Sequence, residues 1–209
     1  LEREEADVIF ACFGMNESFQ GKGELEKFKA DLVALVEDLQ SHKFNGESAP
    51  RIVLVSPIAH ENLGGVLPDG KEHNANLLLY TKAMGETAKA RGLPFVDLFT
   101  PTFEVATAQE QTNLTFNGIH LTSYGYWKVS ELMARSLGLI GDRPPGEEAN
   151  TPTVKKLRRA IYDKNYAFFF HWRPPNMEYI HGRRKDLPGA ERLPEEQKQL
   201  HNIIGQLDR

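Results

Sequence analysis

Apolar positions in the first 140 residues alternate between two periods. Asp7-Val-Ile-Phe-Ala-Cys-Phe13 is a continuous apolar run closed by Gly14, the pattern of a strand buried on both faces of a parallel sheet. Leu25, Phe28, Leu32, Leu35, Val36 and Leu39 then recur at helical spacing, which predicts an amphipathic helix over 24–40. Arg51-Ile-Val-Leu-Val-Ser56, stopped by Pro57, is a second buried strand. A second helix is predicted over 74–91 with Gly92 as its stop, then a third strand from Pro94 to Phe99. A third helix runs from Thr122 to Leu137, ahead of Gly138. Three strand–helix alternations predict an α/β fold with a parallel sheet. Such sheets bind ligands beyond the carboxyl ends of their strands. Chemistry is therefore expected in Gly14–Gln20, Pro57–Gly65 and the stretch from Thr100 to Leu121.

The pattern changes near residue 144. Gly141-Asp-Arg-Pro-Pro-Gly-Glu-Glu-Ala-Asn-Thr-Pro152 has the composition of a linker. Thr151-Pro152 suits a helix cap and first turn, and Val154, Leu157 and Ile161 open a basic amphipathic helix. Tyr166-Ala-Phe-Phe-Phe-His-Trp172 is dense in aromatics and ends at Arg173-Pro-Pro175; a last helix is expected after Pro194, with Leu200, Ile203, Ile204 and Leu207 on one side. Charge divides at the same place: residues 1–150 hold 13 Lys and Arg against 22 Asp and Glu, and residues 151–209 hold 12 against 7. The expected organisation is an α/β domain over 1–143 and a linker with a basic, aromatic helical extension over 144–209. The extension's aromatics suit docking on the main domain or on a partner, and its arginines suit either the acidic first part or solvent.

Composition narrows the function. At 40% hydrophobic and 26% charged residues over 209 positions, the chain is ordinary for a globular protein. No apolar run reaches the ~18 residues of a membrane-spanning helix. A net charge of -4 argues against nucleic acid as the main partner. Cys12 is the single cysteine, so no internal disulfide or cysteine-based zinc cluster is available. Gly21-Lys-Gly23 lacks the other positions of a phosphate loop, and His60-Glu61 lacks the second histidine of a zinc motif.

Two short segments carry the candidate chemistry. In Gly14-Met-Asn-Glu-Ser18, glycine permits a sharp turn at a strand end, and the Asn16 amide would offer a neutral donor to an oxyanion. In Asn117-Gly-Ile-His120, a histidine would face the same crevice, and histidine is the natural proton shuttle near neutral pH. Taken singly, each segment also fits an ordinary turn.

Together, and on this scaffold, they resemble the SGNH (GDSL-type) hydrolases, a family of esterases and lipases. That family has an oxyanion Asn in a Gly-x-Asn-Asp block and a late Asp-x-x-His block carrying acid and base. Here Gly14-Met-Asn16-Glu17 has Glu in place of Asp, and Asn117-Gly-Ile-His120 has Asn in place of Asp. Phe13–Phe19, Ser56–Glu61 and His120–Tyr126 resemble a bacterial branch of the family, as do Lys164-Asn165, Arg173–Asn176 and Tyr179 in the tail. The likeness spans about residues 7–140. It implies a flavodoxin-like three-layer parallel sheet of order 2-1-3-4-5, joined here at its third strand. The family's Gly-Asp-Ser block is not found in the sequence, so the nucleophilic serine is expected upstream of Leu1, and the edge of the first apolar run is expected to be unpaired and prone to aggregation.

The resemblance implies a serine esterase in which His120 is the base, Asn16 an oxyanion donor and Asn117 the group that orients His120. It needs no cofactor or metal. Gly14, Glu17 and His60 are expected to line the substrate site, with His60-Glu61 as a polar rim that suits a carbohydrate O-acyl ester. Asn117 orients a ring but supplies no charge. A working Ser–His dyad, a different carboxylate such as Asp97, or a degenerate site that only binds all remain open. Asp97 fits a structural strand-end role better than that of a substitute carboxylate. Ser18 and Ser56 lack a nucleophile elbow, and Tyr124, Tyr126 and Trp127 fit helix packing better than a sugar platform. The family suggests a periplasmic or secreted enzyme, while the residues themselves assign no compartment.

Overall fold

The computed structural model describes residues 1–107, 112–140, 151–172 and 189–207. In chain order its elements are β1 (Val8–Cys12), α1 (Met15–Ser18), α2 (Leu25–Ser41), β2 (Arg51–Val55), α3 (Lys71–Arg91), β3 (Phe95–Val96), α4 (Phe99–Thr107), α5 (Ser123–Ser136), α6 (Pro152–Trp172) and α7 (Gly189–Leu207). Among the described residues, two compact units are formed, Leu1–Asp142 and Arg143–Arg209.

In the first unit the three strands are parallel and ordered β1-β2-β3. Val8 lies opposite Arg51 and Cys12 opposite Val55; Leu54 lies opposite Phe95 and Val55 opposite Val96. Side chains of β2 alternate between two buried faces. Ile52 and Leu54 pack with Phe28, Leu32 and Val36 of α2 and with Tyr80 and Met84 of α3. Val53 and Val55 pack with Ile58, Val96, Leu98 and Val129 of α5. This is a helix–sheet–helix sandwich of the α/β class. Each fully buried aliphatic chain stabilises it by about 1.5–3 kcal/mol. A one-residue slip of β2 would exchange its two faces, so the register is firmly specified.

Several elements depart from the sequence expectation. β1 is not buried on both faces: Ala11 alone is buried, and Val8 and Phe10 are exposed. The reason is that Ile9 and Ala11 join the core under α2 and α3, while the opposite face, with Val8, Phe10 and Cys12, has no part in the core under α5. The third strand stops after Val96, and a helix, α4, follows where a loop was expected. Its start is set by two caps. Asp97 accepts from the Thr100 N–H (3.0 Å) and hydroxyl (2.7 Å), and Ser56 Oγ accepts from the Leu98 and Phe99 N–H groups (2.8 and 3.1 Å). Asp97 thus plays a structural, strand-end part. α3 starts at Lys71 rather than 74, with Asp69 accepting from the Lys71 N–H at 3.0 Å. α5 opens as expected on Thr122, whose hydroxyl accepts from the Gly125 N–H at 3.1 Å.

In the second unit α6 is a single helix from Pro152, and the Thr151 hydroxyl accepts from the Val154 N–H at 3.3 Å. It packs along α7, which begins at Gly189, ahead of Pro194. The linker at 141–150 and the motifs around Arg173–Tyr179 lie outside the described residues. No helix among the described residues is long and apolar enough to cross a membrane.

Candidate active site

The carboxyl end of β1 leads straight into the Asn16 turn. Gly14 has φ 98°, a conformation that glycine adopts without steric cost. A Cβ there would lie 3.2 Å from Pro57 Cδ and 3.4 Å from Met84 Sδ. The turn therefore sits tightly on the segment that follows β2. Glu17, one of the predicted substrate residues, bends back so that its Oε2 accepts from the Gly14 N–H at 2.8 Å. It braces the turn. Asn16 is exposed and Gly14 buried.

Asn117 and His120 sit on a hairpin-like loop closed by a bridge between Thr115 and Leu121. Phe116 N–H donates to the His120 carbonyl (3.0 Å), and Thr122 N–H to the Leu114 carbonyl (2.8 Å). Asn117 Oδ1 accepts from the His120 backbone N–H (2.9 Å) and the Ile119 N–H (3.3 Å). Its amide also touches the imidazole, with Oδ1 at 3.1 Å and Nδ2 at 2.9 Å from His120 Nδ1. His120 is exposed, and Phe116, itself 65% exposed, stacks on it with centroids 5.8 Å apart.

What fixes this loop is a residue the sequence placed on an open rim. Glu61 is buried, only 7% exposed. Its Oε1 accepts from the Leu114 N–H (3.0 Å), and its Oε2 from the Thr115 N–H (2.7 Å) and hydroxyl (2.5 Å). The Glu61 N–H donates to the Gly118 carbonyl at 2.9 Å, and the Gly118 N–H donates to the Thr115 hydroxyl at 3.1 Å. Charge-assisted bonds of this kind are about twice as strong as neutral ones. A buried carboxylate needs such partners, since leaving it unpaired costs several kcal/mol, on the order of 3–5.

His60 is likewise buried at 7% exposure, so the expected polar rim of His60 and Glu61 is instead an internal brace. The backbone of His60 is clamped by Asn74 at the start of α3: His60 N–H donates to Asn74 Oδ1, and Asn74 Nδ2 donates to the His60 carbonyl, both at 2.8 Å. Its Nδ1 lies 3.0 Å from Nδ1 of His73. His73 Nε2 lies 2.8 Å from Ser18 Oγ, and Phe19 stacks on the ring at 3.8 Å between centroids. Burial holds both imidazoles below the ordinary histidine value. A charge on His60 would lower His73 further, opposed by the Met15 carbonyl, while Asp69 opposes the effect of burial at His60.

Neither candidate serine is available as a nucleophile in this arrangement. Ser18 is fully buried and donates to the Met15 carbonyl at 2.8 Å; Ser56 is 3% exposed and donates to the Pro57 carbonyl at 3.1 Å. The sequence reading missed His73, Asn74 and Thr115, because no spacing along the chain links them to Ser18, His60 or Glu61. Tyr126 and Trp127 are exposed, with Lys128 over the Trp127 ring at 4.7 Å. No group of three or more His, Cys, Asp or Glu among the described residues is placed to hold a metal.

Comparison with known proteins bears on the fold and the family. No curated protein sequence matches the chain. Among solved structures it is similar to Axe2, an acetylxylan esterase from Geobacillus stearothermophilus, with 17% identity over 68% of this chain and 65% of that one and a TM-score of 0.52. A variant described as an acetyl-xylooligosaccharide esterase from the same source gives 17%, 69%, 65% and 0.53. LAE5, an alpha/beta hydrolase enzyme from the metagenome of Lake Arreo, Spain, gives 15%, 67%, 63% and 0.51. The chain thus spans a little under two thirds of each of these proteins. Variants of Axe2 described as catalytic mutants replace a serine, an aspartate, and a histidine three positions after that aspartate. Residues 1–128, which hold both the Asn16 turn and the His120 loop, match the GDSL-like lipase/acylhydrolase family, and the chain belongs to it.

Proposed function

We propose that this chain carries the base and part of the oxyanion hole of a serine ester hydrolase. The observation that supports the reading is shared support. The Asn16 turn packs on Pro57, and the His120 loop is bonded to Glu61, so one short segment after β2 holds both. In the reaction, His120 takes the proton of a serine as its oxygen attacks an ester carbonyl, then returns that proton to the leaving alcohol. The Asn16 amide donates to the tetrahedral oxyanion, a contribution typically worth about 10²–10³ in turnover. Gly14 shapes the turn, and Asn117 orients the ring. The aspartate–histidine spacing in Axe2 has the same interval as Asn117 to His120.

In this reading the serine lies outside these 209 residues: the sequence holds no Gly-Asp-Ser block, and Ser18 and Ser56, the two serines beside the site, are buried and engaged. The substrate class is a carbohydrate O-acyl ester, in keeping with the acetylated xylan named for Axe2. The test is labelling of the full-length natural protein with a fluorophosphonate probe, followed by peptide mapping. Label on a serine outside this chain, lost in His120→Ala, is the expected result. Label on Ser18 or Ser56 overturns the assignment of the nucleophile. Absence of label favours a binding module on the same fold, the reading that Asn117 supports.

A further inference from the structure

Between the Asn16 turn and the His120 loop runs a buried chain of polar atoms that no catalytic step uses. Its direction follows from its ends. The Met15 carbonyl can only accept, so the Ser18 hydroxyl donates to it. Ser18 Oγ then accepts from Nε2–H of His73. A neutral imidazole with hydrogen on one nitrogen accepts at the other, so His73 Nδ1 accepts from Nδ1–H of His60. His60 Nε2 is left as a bare lone pair, buried and with no hydrogen-bond partner among the described residues. That nitrogen faces Gly118, two residues before His120: a Cβ on Gly118 would lie 2.6 Å from it. Gly118 also has φ 95°. The polar chain thus begins in the helix that carries Asn16 and ends against the turn between Asn117 and His120.

We propose that His73 and His60 are positioning residues that register the Asn16 turn to the His120 loop as a neutral, tautomer-fixed pair. The proposal rests on the esterase reading for its purpose, not for its geometry. Adding a proton puts an N–H on His60 Nε2 against the Gly118 backbone whichever ring takes it. The two Nδ1 atoms cannot both carry hydrogen at 3.0 Å, so protonating His73 forces His60 into its Nε2–H form. The charged groups facing the pair are few. Asp69 acts on His60, the His60 ring and the Met15 carbonyl act on His73, and the neighbouring Glu61 carboxylate is committed to Leu114 and Thr115.

The test needs no turnover. The full-length natural protein is uniformly labelled with ¹⁵N, and long-range proton–nitrogen spectra of the histidine rings and amide spectra are recorded from pH 5 to 8 for wild type, His73→Gln and His73→Leu. A glutamine at 73 can donate to Ser18 from its nitrogen and accept from His60 at its oxygen; a leucine of similar size does neither. In wild type His60 is expected as the Nδ1–H tautomer and His73 as the Nε2–H tautomer, both neutral where exposed histidines titrate. The Gln variant keeps the His60 tautomer and the amide shifts of Asn117–His120, and the Leu variant changes both. If the Leu variant fails to fold, wild type and the Gln variant still decide. Ordinary titration of both rings, equal tautomers, or 117–120 amides that stay unmoved in a folded Leu variant would overturn the proposal. A protein that hydrolyses no ester but shows these spectra sinks the esterase reading alone.

Discussion

The side-chain amide of Asn117 meets the imidazole of His120 with either of two atoms, Oδ1 at 3.1 Å or Nδ2 at 2.9 Å from Nδ1. Two backbone N–H groups point at Oδ1 and identify it as the oxygen. The contact therefore orients the ring without choosing its tautomer. Nδ1–H donating to Oδ1 leaves Nε2 free to act as a base; Nδ2 donating to Nδ1 does not.

A carboxylate at 117 would remove that ambiguity, accepting from Nδ1–H and stabilising the imidazolium. Asn117→Asp in the full-length protein is expected to raise the turnover of an acetyl ester at least tenfold, bounded by the roughly 10⁴ that the reverse change costs in a serine protease. Steady-state kinetics on the two proteins decide it. An unchanged or lower kcat would show that the loop is not a triad element.

Glu61→Gln keeps the size of the brace but removes its charge and sets an N–H₂ group against one of the donors at Leu114 and Thr115. Breaking a buried, charge-assisted network in this way is expected to cost about 1–3 kcal/mol. It should lower the melting temperature and speed amide exchange at 114–120 more than in β2. Equal exchange in both segments would contradict a local role.

Gly118→Ala places a methyl group 2.6 Å from His60 Nε2 at a φ of 95°. Backbone strain and overpacking each add on the order of 1–2 kcal/mol. The expected result is a melting temperature lowered by several degrees, against little change for Gly23→Ala, where a Cβ meets nothing within 4 Å. Similar melts for the two variants would remove the steric argument.

Acid should destabilise the first unit. Both buried imidazoles lie below their unfolded value of 6.5. Above that pH both states are neutral there and stability is full. As pH falls through 6.5 the unfolded chain takes up protons first, and stability drops by up to about 1.4 kcal/mol for each pKa unit of depression. Thermal melts from pH 8 to 5 should show the decline, and His73→Gln should flatten it. A stability that rises toward pH 5 would reverse the sign of the argument.

Among the described residues β1 is an edge strand, and its exposed face carries Val8 and Phe10, with Phe13 exposed just beyond it. An unpaired apolar edge is a template for further strands. The 209-residue chain alone is expected to self-associate at micromolar concentration, and Phe10→Lys to reduce this. Sedimentation velocity tests it, and a monodisperse monomer with a cooperative melt would dispose of the idea.

Much was legible along the chain because it depends on near neighbours. The strand at Val8–Cys12 (though not its burial), the buried strand at Arg51–Val55, the period of α2 and the Thr122 cap are local patterns that follow from spacing. The Asn16 and His120 segments were found in the same way, as short strings with a chemical sense. Tertiary structure alone decided what holds them. Ser56 caps α4 across 42 positions, Glu61 reaches Thr115 across 54, and His73 reaches Ser18 across 55. A polar side chain placed in a loop by its sequence has no reason to be buried until a distant backbone offers the donors it needs. Glu61 and His60 therefore read as a surface rim in one dimension and are the interior brace in three.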